Sequence, residues 1–171
     1  MTPGSLQLDA GQTSTVTIRL TGSQPLSGAY GGAVTIQGAN SSLRVPYLYM
    51  VGNGVGSDLV PIIGGNGFVG VPGDKGFSIA FKLIDRFGVP VNGATVRFRV
   101  VSGGGIIERG DAATDVFGIA AAVVDLGAQL GEQQFSADVA GMTIDFFGVA
   151  QPPLPHPLVL PEPMARTRVI Q

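Results

Sequence analysis

Apolar and polar side chains alternate along most of this chain. Over residues 77–83 apolar side chains stand at every second position, and the same alternation recurs over 94–100 and 134–139. A repeat of two residues is typical of a β-strand that turns one face to a core and the other to solvent. No segment has a sustained helical period, so the pattern predicts an all-β chain.

The predicted strands fall into two blocks. Residues 1–52 contain three or four strands, the first over 15–20 and the last through Pro46, where proline indicates an edge strand or a bulge. Residues 59–150 contain seven or eight strands, which is enough for a complete two-sheet sandwich. The glycine-rich segment 53–58 lies between the blocks and is predicted to be a flexible or turning linker.

From residue 151 onward the composition changes. Six prolines follow closely on one another, namely Pro152, Pro153, Pro155, Pro157, Pro161 and Pro163. Residues 151–171 are therefore predicted to form an extended, polyproline-like tail that leaves the body of the fold. The apolar stretch 158–160 in this tail suggests strand donation between subunits as one mode of assembly.

Two turns carry the most specific motifs of the chain. In the first, Asp85 and Gly88 supply turn chemistry, Pro90 blocks a helix, and Asn92-Gly93 begins a second turn before a β-branched run. The segment 114–120 then repeats an Asp-to-Gly turn that leads into an apolar strand.

These turns resemble those of the group-1 bacterial immunoglobulin-like domain, the module repeated in invasin- and intimin-type surface proteins. The resemblance covers about residues 68–150. It implies an immunoglobulin-like sandwich that has a structural role and no chemistry of its own.

The first block has a resemblance of its own, carried by residues 10–18, 26–36 and 43–47. They are similar to the second half of the fibronectin-type-III-like domain that follows the catalytic domain of many secreted subtilisin-like serine proteases. The resemblance covers about residues 5–52 and implies an incomplete module, to which none of the protease's catalytic residues belongs. Half a sandwich cannot bury its inner face alone, so this block must lean on the second block, another chain, or sequence outside this one.

Composition limits the function and the setting. The 171 residues carry a formal charge of −2, which provides no electrostatic footprint for nucleic acid or an anionic membrane. The absence of cysteine excludes disulfides, a thiolate nucleophile and cysteine-ligated zinc. Residues 1–5 do not look like a signal peptide, and no stretch is apolar enough for a transmembrane helix. The chain is therefore either cytoplasmic or a segment of a longer exported bacterial protein, and we favour the second, extracellular or cell-surface setting.

Two glycine-rich stretches look like nucleotide-binding motifs. Residues 65–70 fit the dinucleotide pattern G-x-G-x-x-G, but Pro72 and an alternating strand follow where a helix is needed. Residues 103–105 lack the lysine and hydroxyl residue of a phosphate-binding loop. Both stretches are therefore predicted to be loops, and no cofactor is expected.

Few other side chains suggest chemistry. His156, the only histidine, lies in the proline-rich tail, where no packed shell can hold a catalytic base. A calcium site at Glu108, Asp111 and Asp115 is conceivable, but Asp115 is expected to bond its own turn and Asp111 to be solvated. Asn40 begins a sequence that matches a glycosylation sequon, but we interpret it as a polar turn. No catalytic, cofactor-binding or metal-binding residue is predicted.

Two surface groups remain open to interpretation. Arg97 and Arg99 project together from one strand, either as an anion or partner patch or, as we favour, as an outward face that discourages edge pairing. Tyr30, Tyr47 and Tyr49 are either a sugar-stacking platform or, as we favour, part of a core or domain interface. Leu43, Val45, Tyr47 and Tyr49 form the predicted inward set of their strand.

The sequence as a whole predicts two β-sandwich modules in tandem, the first incomplete. Their predicted function is that of a non-catalytic spacer, with a subtilisin-like protease as the parent protein. The alternatives are an adhesin-type ligand-binding module and a fibre subunit assembled by strand donation. The expected partners are neighbouring domains of a longer chain or another copy of the protein, without nucleic acid or membrane insertion.

Overall fold

The computed structural model describes residues 3–154. The predicted polyproline-like tail beyond residue 154, its apolar stretch 158–160 and His156 lie outside these residues. The described part of the chain contains ten strands and no helix, which confirms the all-β prediction. The strands are β1 (Gly28–Gln37), β2 (Ser42–Val51), β3 (Gly56–Ile63), β4 (Phe68–Gly70), β5 (Phe77–Asp85), β6 (Val96–Ser102), β7 (Ile106–Gly110), β8 (Ile119–Asp125), β9 (Gly131–Val139) and β10 (Met142–Ala150). Accordingly, nothing between residues 3 and 154 is a helix that could cross a bilayer.

Eight of these strands form a sandwich of two four-stranded sheets. One sheet has the order β4-β10-β9-β6 and the other has the order β3-β5-β8-β7. Neighbouring strands are antiparallel except for β4 and β10, which run parallel over three residue pairs. The two sheets enclose one hydrophobic core, in which Ile79, Phe81, Leu83, Phe135 and Phe146 are completely buried. The predicted sandwich is therefore confirmed.

The alternation of residues is clearest on β5, one of the two inner strands of its sheet. Its side chains at 79, 81 and 83 point into the core and have no exposed surface. Full burial of one such side chain contributes about 2 kcal/mol, so these three dominate the local packing energy. The position between them at Ala80 is also buried, because β3 and β8 flank β5 on both edges.

The sandwich has two poles that matter for function. The linker pole contains the start of β3, the turns 85–89 and 115–119, and Ala140, whose Cβ lies close to Gly56. The tail pole contains the end of β10, where the Gln151 N–H donates to the Gly70 carbonyl. The chain therefore joins the sandwich at one pole and leaves it at the other.

The first block forms only a hairpin. β1 and β2 pair with each other over ten residue pairs and form a two-stranded sheet of their own. The predicted strand 15–20 is not formed, since only Thr17 makes a bridge there and residues 3–27 contain no strand. Alternation supplies an apolar face, but a strand also needs a neighbour for its backbone hydrogen bonds. Pro46 lies on β2, and each strand of a two-stranded sheet is an edge.

The predicted inward set of this block is not buried. Leu43 is 62% exposed, Val45 49% and Tyr47 47%. The prediction failed because no second sheet packs on this face of the hairpin within residues 3–154. The division into a truncated module, a linker, a sandwich and a tail stays a prediction.

Hydrogen bonds hold the segment that joins β2 to β3. β3 begins at Gly56, inside the predicted linker 53–58, and the last residue of β2, Val51, is only 4% exposed. The Asn53 side chain accepts a hydrogen bond from the Val55 N–H at 2.9 Å, which turns the chain into β3. The Asn53 N–H itself is held by a side chain of the sandwich, described next.

Candidate functional site

Two turns at the linker pole share one geometry. In the first, Asp85 Oδ1 accepts hydrogen bonds from the N–H groups of Phe87 and Val89, both at 2.9 Å. In addition, the Gly88 N–H donates to the Asp85 carbonyl, and the Asp85 N–H donates to the Val89 carbonyl. Gly88 has φ +78°, which an L side chain rarely adopts.

The second turn repeats this pattern bond for bond. Asp115 Oδ1 accepts from the N–H groups of Phe117 and Ile119, both at 2.8 Å. The backbone bonds between Asp115 and Gly118 and between Asp115 and Ile119 are equivalent too, and Gly118 has φ +74°. The repeated sequence Asp-x-Phe-Gly is the signal that predicts this equivalence.

The surroundings of the two carboxylates differ. Asp115 is exposed, whereas Asp85 is 2% exposed and accepts a third hydrogen bond, from the Asn53 N–H to Oδ2 at 2.7 Å. Gly52 lies so close that an added Cβ would stand 2.9 Å from Asp85 Oδ2. Asp85 therefore fastens the chain between β2 and β3 to the sandwich, and we call this arrangement the Asp85 clasp.

The clasp favours the ionised carboxylate. Burial acts to raise the pKa of Asp85, but the hydrogen bonds from the N–H groups of Asn53, Val89 and Phe87, helped by the charge of Arg86, outweigh it. The pKa of Asp85 consequently lies below its ordinary value of 3.8. Such a shift means that the folded state binds the proton less readily than the unfolded chain does.

This shift predicts acid destabilisation with a definite sign. Because the folded-state pKa of Asp85 is lowered, its stabilising contribution is complete above the unfolded pKa and is lost as the pH falls through the folded pKa. We expect the free energy of unfolding in urea, measured at pH 7, 4 and 2.5, to fall less steeply for Asp85→Asn than for the native chain. The exposed carboxylate variant Asp115→Asn is the control, and an unchanged pH profile in Asp85→Asn would contradict the prediction.

Asp111 and Asp115, where a calcium site was conceivable but not predicted, accept hydrogen bonds from the backbone. Asp115 bonds its own turn, as expected, but Asp111 is not merely solvated, because its Oδ2 accepts from the Ala121 N–H at 2.8 Å. These carboxylate oxygens are satisfied by backbone donors of β8 and of the turn before it. Among residues 3–154 no group of three or more His, Asp or Glu side chains is placed to hold a metal ion.

Thr114 links the second turn to the segment before β6. Its hydroxyl donates to the Val91 carbonyl at 2.7 Å and accepts from the Ala94 N–H at 3.0 Å, while only 3% of the residue is exposed. Backbone bonds from Gly93 to Thr114 and from Thr114 to Ala94 complete the link. Thr114 and Asp115 thus use their side chains to hold loops in place.

The glycine-rich stretches serve as turns. Residues 64–67 form the turn by which the chain passes from β3 in one sheet to β4 in the other, and a strand rather than a helix follows. At the tail pole, Gly103 has φ +82° and packs against Gln133 so closely that a Cβ would overlap that side chain. Neither stretch presents a helix N-terminus to a phosphate. Residues 103–105 form a loop as predicted, but the loop prediction is wrong for residues 68–70, which form β4 because they pair with β10.

Sequence reasoning did not identify the buried Gln133. Its side chain accepts from the Gly127 N–H at 2.7 Å and donates to the Gln129 carbonyl at 2.9 Å, which closes the loop between β8 and β9. Asp125 similarly accepts from the Gly76 N–H. Nothing in the local sequence signals these roles, because each partner comes from a loop whose position depends on the fold.

The two arginines lie on the edge strand β6. Arg99 forms a salt bridge with Asp138 of β9 at 2.9 Å, and both side chains are about two-fifths exposed, so the pair adds little stability. The hydrogen bond from Arg99, with another from Thr143, lowers the pKa of Asp138. The interpretation as a charged edge that discourages pairing fits this position.

The three tyrosines lie together on one face of the hairpin. Tyr30 is paired with Tyr49 across the strands, their ring centroids are 6.4 Å apart, and Tyr47 is paired with Gly32. With residues 20–25 they line an open cleft of about 330 Å³, which we call the tyrosine cleft. The expectation that they fill a core or domain interface is not met within the described residues, because Tyr30 and Tyr47 are exposed.

Comparison with known proteins yields structural likenesses only. No model of a protein family matches this chain, and neither does any curated protein. Domains 4 and 5 of the S-layer protein SbsC are similar at 13% identity and a TM-score of 0.47, over 72% of this chain and 58% of theirs. The D00-D0 domain of intimin is similar at 21% identity and a TM-score of 0.44, over 70% of this chain and 61% of its own. This chain therefore spans less than two thirds of either structure.

Proposed function

We propose that this chain is a non-catalytic structural segment of a secreted or cell-surface bacterial protein. Its task is to hold the parts of a longer chain that flank it at a fixed separation. The observation that carries this proposal is that the sandwich is fastened at both poles. The Asp85 clasp holds the incoming chain at Asn53, and the backbone bond from Gln151 to Gly70 holds the outgoing chain.

The strand directions suit a load-bearing role. β3 runs from the linker pole to the tail pole, antiparallel to β5, and β10 runs in the same direction as β3 to end at the tail pole. A pull on the two ends draws β3 towards the linker pole and β10 towards the tail pole. The hydrogen bonds between strands lie across this direction, so many of them are loaded together rather than one after another.

The buried polar groups support the same role. The side chains of Asp85, Thr114 and Gln133 are each used to attach a loop or a linker to a sheet. Every buried side-chain nitrogen or oxygen in residues 3–154 has a hydrogen-bond partner. Such groups stiffen the ends of the sandwich and are already satisfied, in contrast to the free polar groups that a catalytic pocket presents.

Single-molecule pulling tests the proposal. The chain contains no cysteine, so introduced cysteines provide unique attachment points. We expect Val55→Cys with Gln151→Cys, which loads the sandwich from pole to pole, to unfold in one cooperative event at high force. Leu130→Cys with Gln151→Cys is the matched control, because both sites lie at the tail pole and force there peels β9 from β10 pair by pair. Equal forces in the two geometries would refute a spacer built to carry load.

The finer identification of the parent protein belongs to the proposal as well. The resemblance of residues 5–52 to a protease-associated fibronectin-like module suggests a subtilisin-like protease as the neighbouring domain, and this stays a prediction. Exposed apolar residues on the hairpin, among them Leu43 and Val45, are consistent with a block that packs on further protein. The coding sequence upstream of residue 1 tests this directly, since an in-frame domain of another class would rule it out.

A further inference from the structure

The tyrosine cleft has the character of a binding site for proline. Its walls are three tyrosine rings together with Leu20 and Pro25, and its remaining lining residues are Thr21, Gly22, Ser23 and Gln24. None of these described lining residues is charged, so the cleft selects a neutral, apolar segment that also needs a few hydrogen bonds. Aromatic-lined grooves of this kind bind polyproline helices, whose stiff backbone loses little entropy on binding.

The rings are held in place before any ligand arrives. Tyr47 lies against Gly32, where an added Cβ would stand 2.8 Å from Cε1 of the ring. Tyr30 packs on Gly28, where an added Cβ would stand 3.6 Å from Cε2, and its hydroxyl donates to the Leu26 carbonyl at 2.6 Å. Glycine therefore lets the rings of Tyr30 and Tyr47 lie close to the backbone, and side chains that are positioned before binding lower its entropic cost.

The same chain contains a segment of the required chemistry. Residues 152–157 read Pro-Pro-Leu-Pro-His-Pro, which we call the proline segment. Its described part, residues 152–154, has no regular secondary structure, and Leu154 is 88% exposed. Proline at four of six positions favours the polyproline conformation in the sequence.

The geometry of the sandwich favours a second copy over the same chain. The proline segment follows β10 at the tail pole, whereas the hairpin with the tyrosine cleft precedes β3 at the linker pole. The nine residues of β10 alone separate the poles by about 30 Å. The six residues of the proline segment cover at most about 19 Å in a polyproline conformation, which is less than the separation of the poles, so the segment is too short to reach its own cleft.

We propose that the tyrosine cleft binds the proline segment of a second copy of this chain. The contact joins two different surfaces, the cleft of one copy and the tail of the next, so it is heterologous and extends into a row of copies. This inference does not depend on the proposed spacer function, because a spacer needs no self-association. It differs from strand donation, since prolines cannot supply the N–H groups of an added strand.

Tyrosine fluorescence isolates the cleft from the rest of the molecule. The chain has three tyrosines and no tryptophan, and all three tyrosines line the cleft. The acceptor is the full chain with Pro152, Pro153, Pro155 and Pro157 changed to alanine, which removes its own ligand. We expect a synthetic peptide of residues 151–158 to change its tyrosine emission saturably, and the same peptide with the four prolines replaced by alanine to bind at least tenfold more weakly.

Sedimentation of the full chain provides the second readout. We expect the native chain to form larger species as its concentration rises, and the four-proline variant to remain monomeric. The matched control is Pro161→Ala with Pro163→Ala, which changes the same tail outside the proline segment and should still associate. Of the substituted positions, the described residues Pro152 and Pro153 lie outside all strands, and circular dichroism of each variant confirms that the sandwich is folded.

Three outcomes would overturn the proposal. The first is no peptide response in tyrosine emission, and the second is equal association of the four-proline variant and the native chain. The third is a saturable response to a neutral oligosaccharide such as chitohexaose but none to the peptide, which would make the cleft a sugar site. Failure of any of these tests leaves the pulling experiment on the sandwich unaffected, so the two proposals are judged separately.

Discussion

Asp85→Ala is expected to destabilise the sandwich by about 3–5 kcal/mol. The substitution removes one carboxylate that accepts from the N–H groups of Asn53, Phe87 and Val89. Asp85 itself is only 2% exposed, so water reaches these part-buried donors poorly, and each donor left without a partner costs about 1–3 kcal/mol. The free energy of unfolding from urea titration at pH 7 measures the effect.

Asp115→Ala is the matched control for this prediction. It removes the equivalent acceptor from a turn with the same hydrogen bonds, but Asp115 is exposed and accepts no third bond from a linker. Water replaces the lost acceptor, so the expected cost is about 1 kcal/mol. Equal losses in the two variants would show that the linker bond and the burial of Asp85 contribute nothing.

Gly118→Ala is expected to lower the free energy of unfolding by about 3–5 kcal/mol, the sum of left-handed backbone strain and overpacking. Gly118 has φ +74°, and a Cβ there would collide with the Leu83 carbonyl oxygen and stand 3.1 Å from the Val91 nitrogen. Both obstacles are backbone atoms, which cannot rotate away as a side chain does. The Leu83 N–H also donates to the Gly118 carbonyl, so a displaced turn breaks contact with the core strand β5. Chemical denaturation, with circular dichroism to confirm the fold, measures the loss.

Gly88→Ala separates backbone strain from collision. Gly88 occupies the same place in the first turn with φ +78°, yet nothing lies within 4 Å of an added Cβ. The left-handed conformation alone costs an L residue about 1–2 kcal/mol, so the free energy of unfolding of this variant should fall by only that amount. If Gly118→Ala lowered the free energy of unfolding no more than Gly88→Ala does, close packing of the second turn against β5 would not explain why glycine is needed at position 118.

The sandwich could be predicted from sequence because its signals are local. Alternation over residues 77–83 and 134–139 reflects directly which side chains face the core, and the Asp-to-Gly turns have their own chemistry. The same rule failed at residues 15–20, where the alternation is equally clear. A strand there depends on a pairing partner, and no local pattern tells whether one is present.

The contacts that give the sandwich its fastened ends could not be predicted. Asp85 was recognised as a turn residue, but its bond to Asn53 joins positions 32 residues apart. Gln133 gave no signal at all, since its partners Gly127 and Gln129 are backbone groups of a loop. Backbone donors leave no trace in side-chain chemistry, so only the folded chain identifies them.

The proximity of the tyrosines, in contrast, could be predicted. Their positions on one face of a hairpin follow from alternation on β2, so their proximity could be predicted from residues 47 and 49. Burial of their rings could not be predicted, because the atoms that would bury them come from elements far along the chain or from another molecule. The glycines at 28 and 32 that lie against the rings were visible in the sequence, but the pairing of Tyr30 with Tyr49 and of Gly32 with Tyr47 was not.

Asp85 binds a backbone N–H at position 53, so this hydrogen bond tolerates substitution of the residue there. Every residue except proline has a backbone N–H at position 53, so the Asp85 carboxylate can accept this hydrogen bond whatever the side chain there. The one strict demand falls on Gly52, where a side chain would meet Asp85 and Val89. A different upstream domain grafted onto this sandwich therefore keeps the bond to Asp85 if the graft ends in glycine followed by a residue other than proline, and asparagine there also keeps the bond to the Val55 N–H.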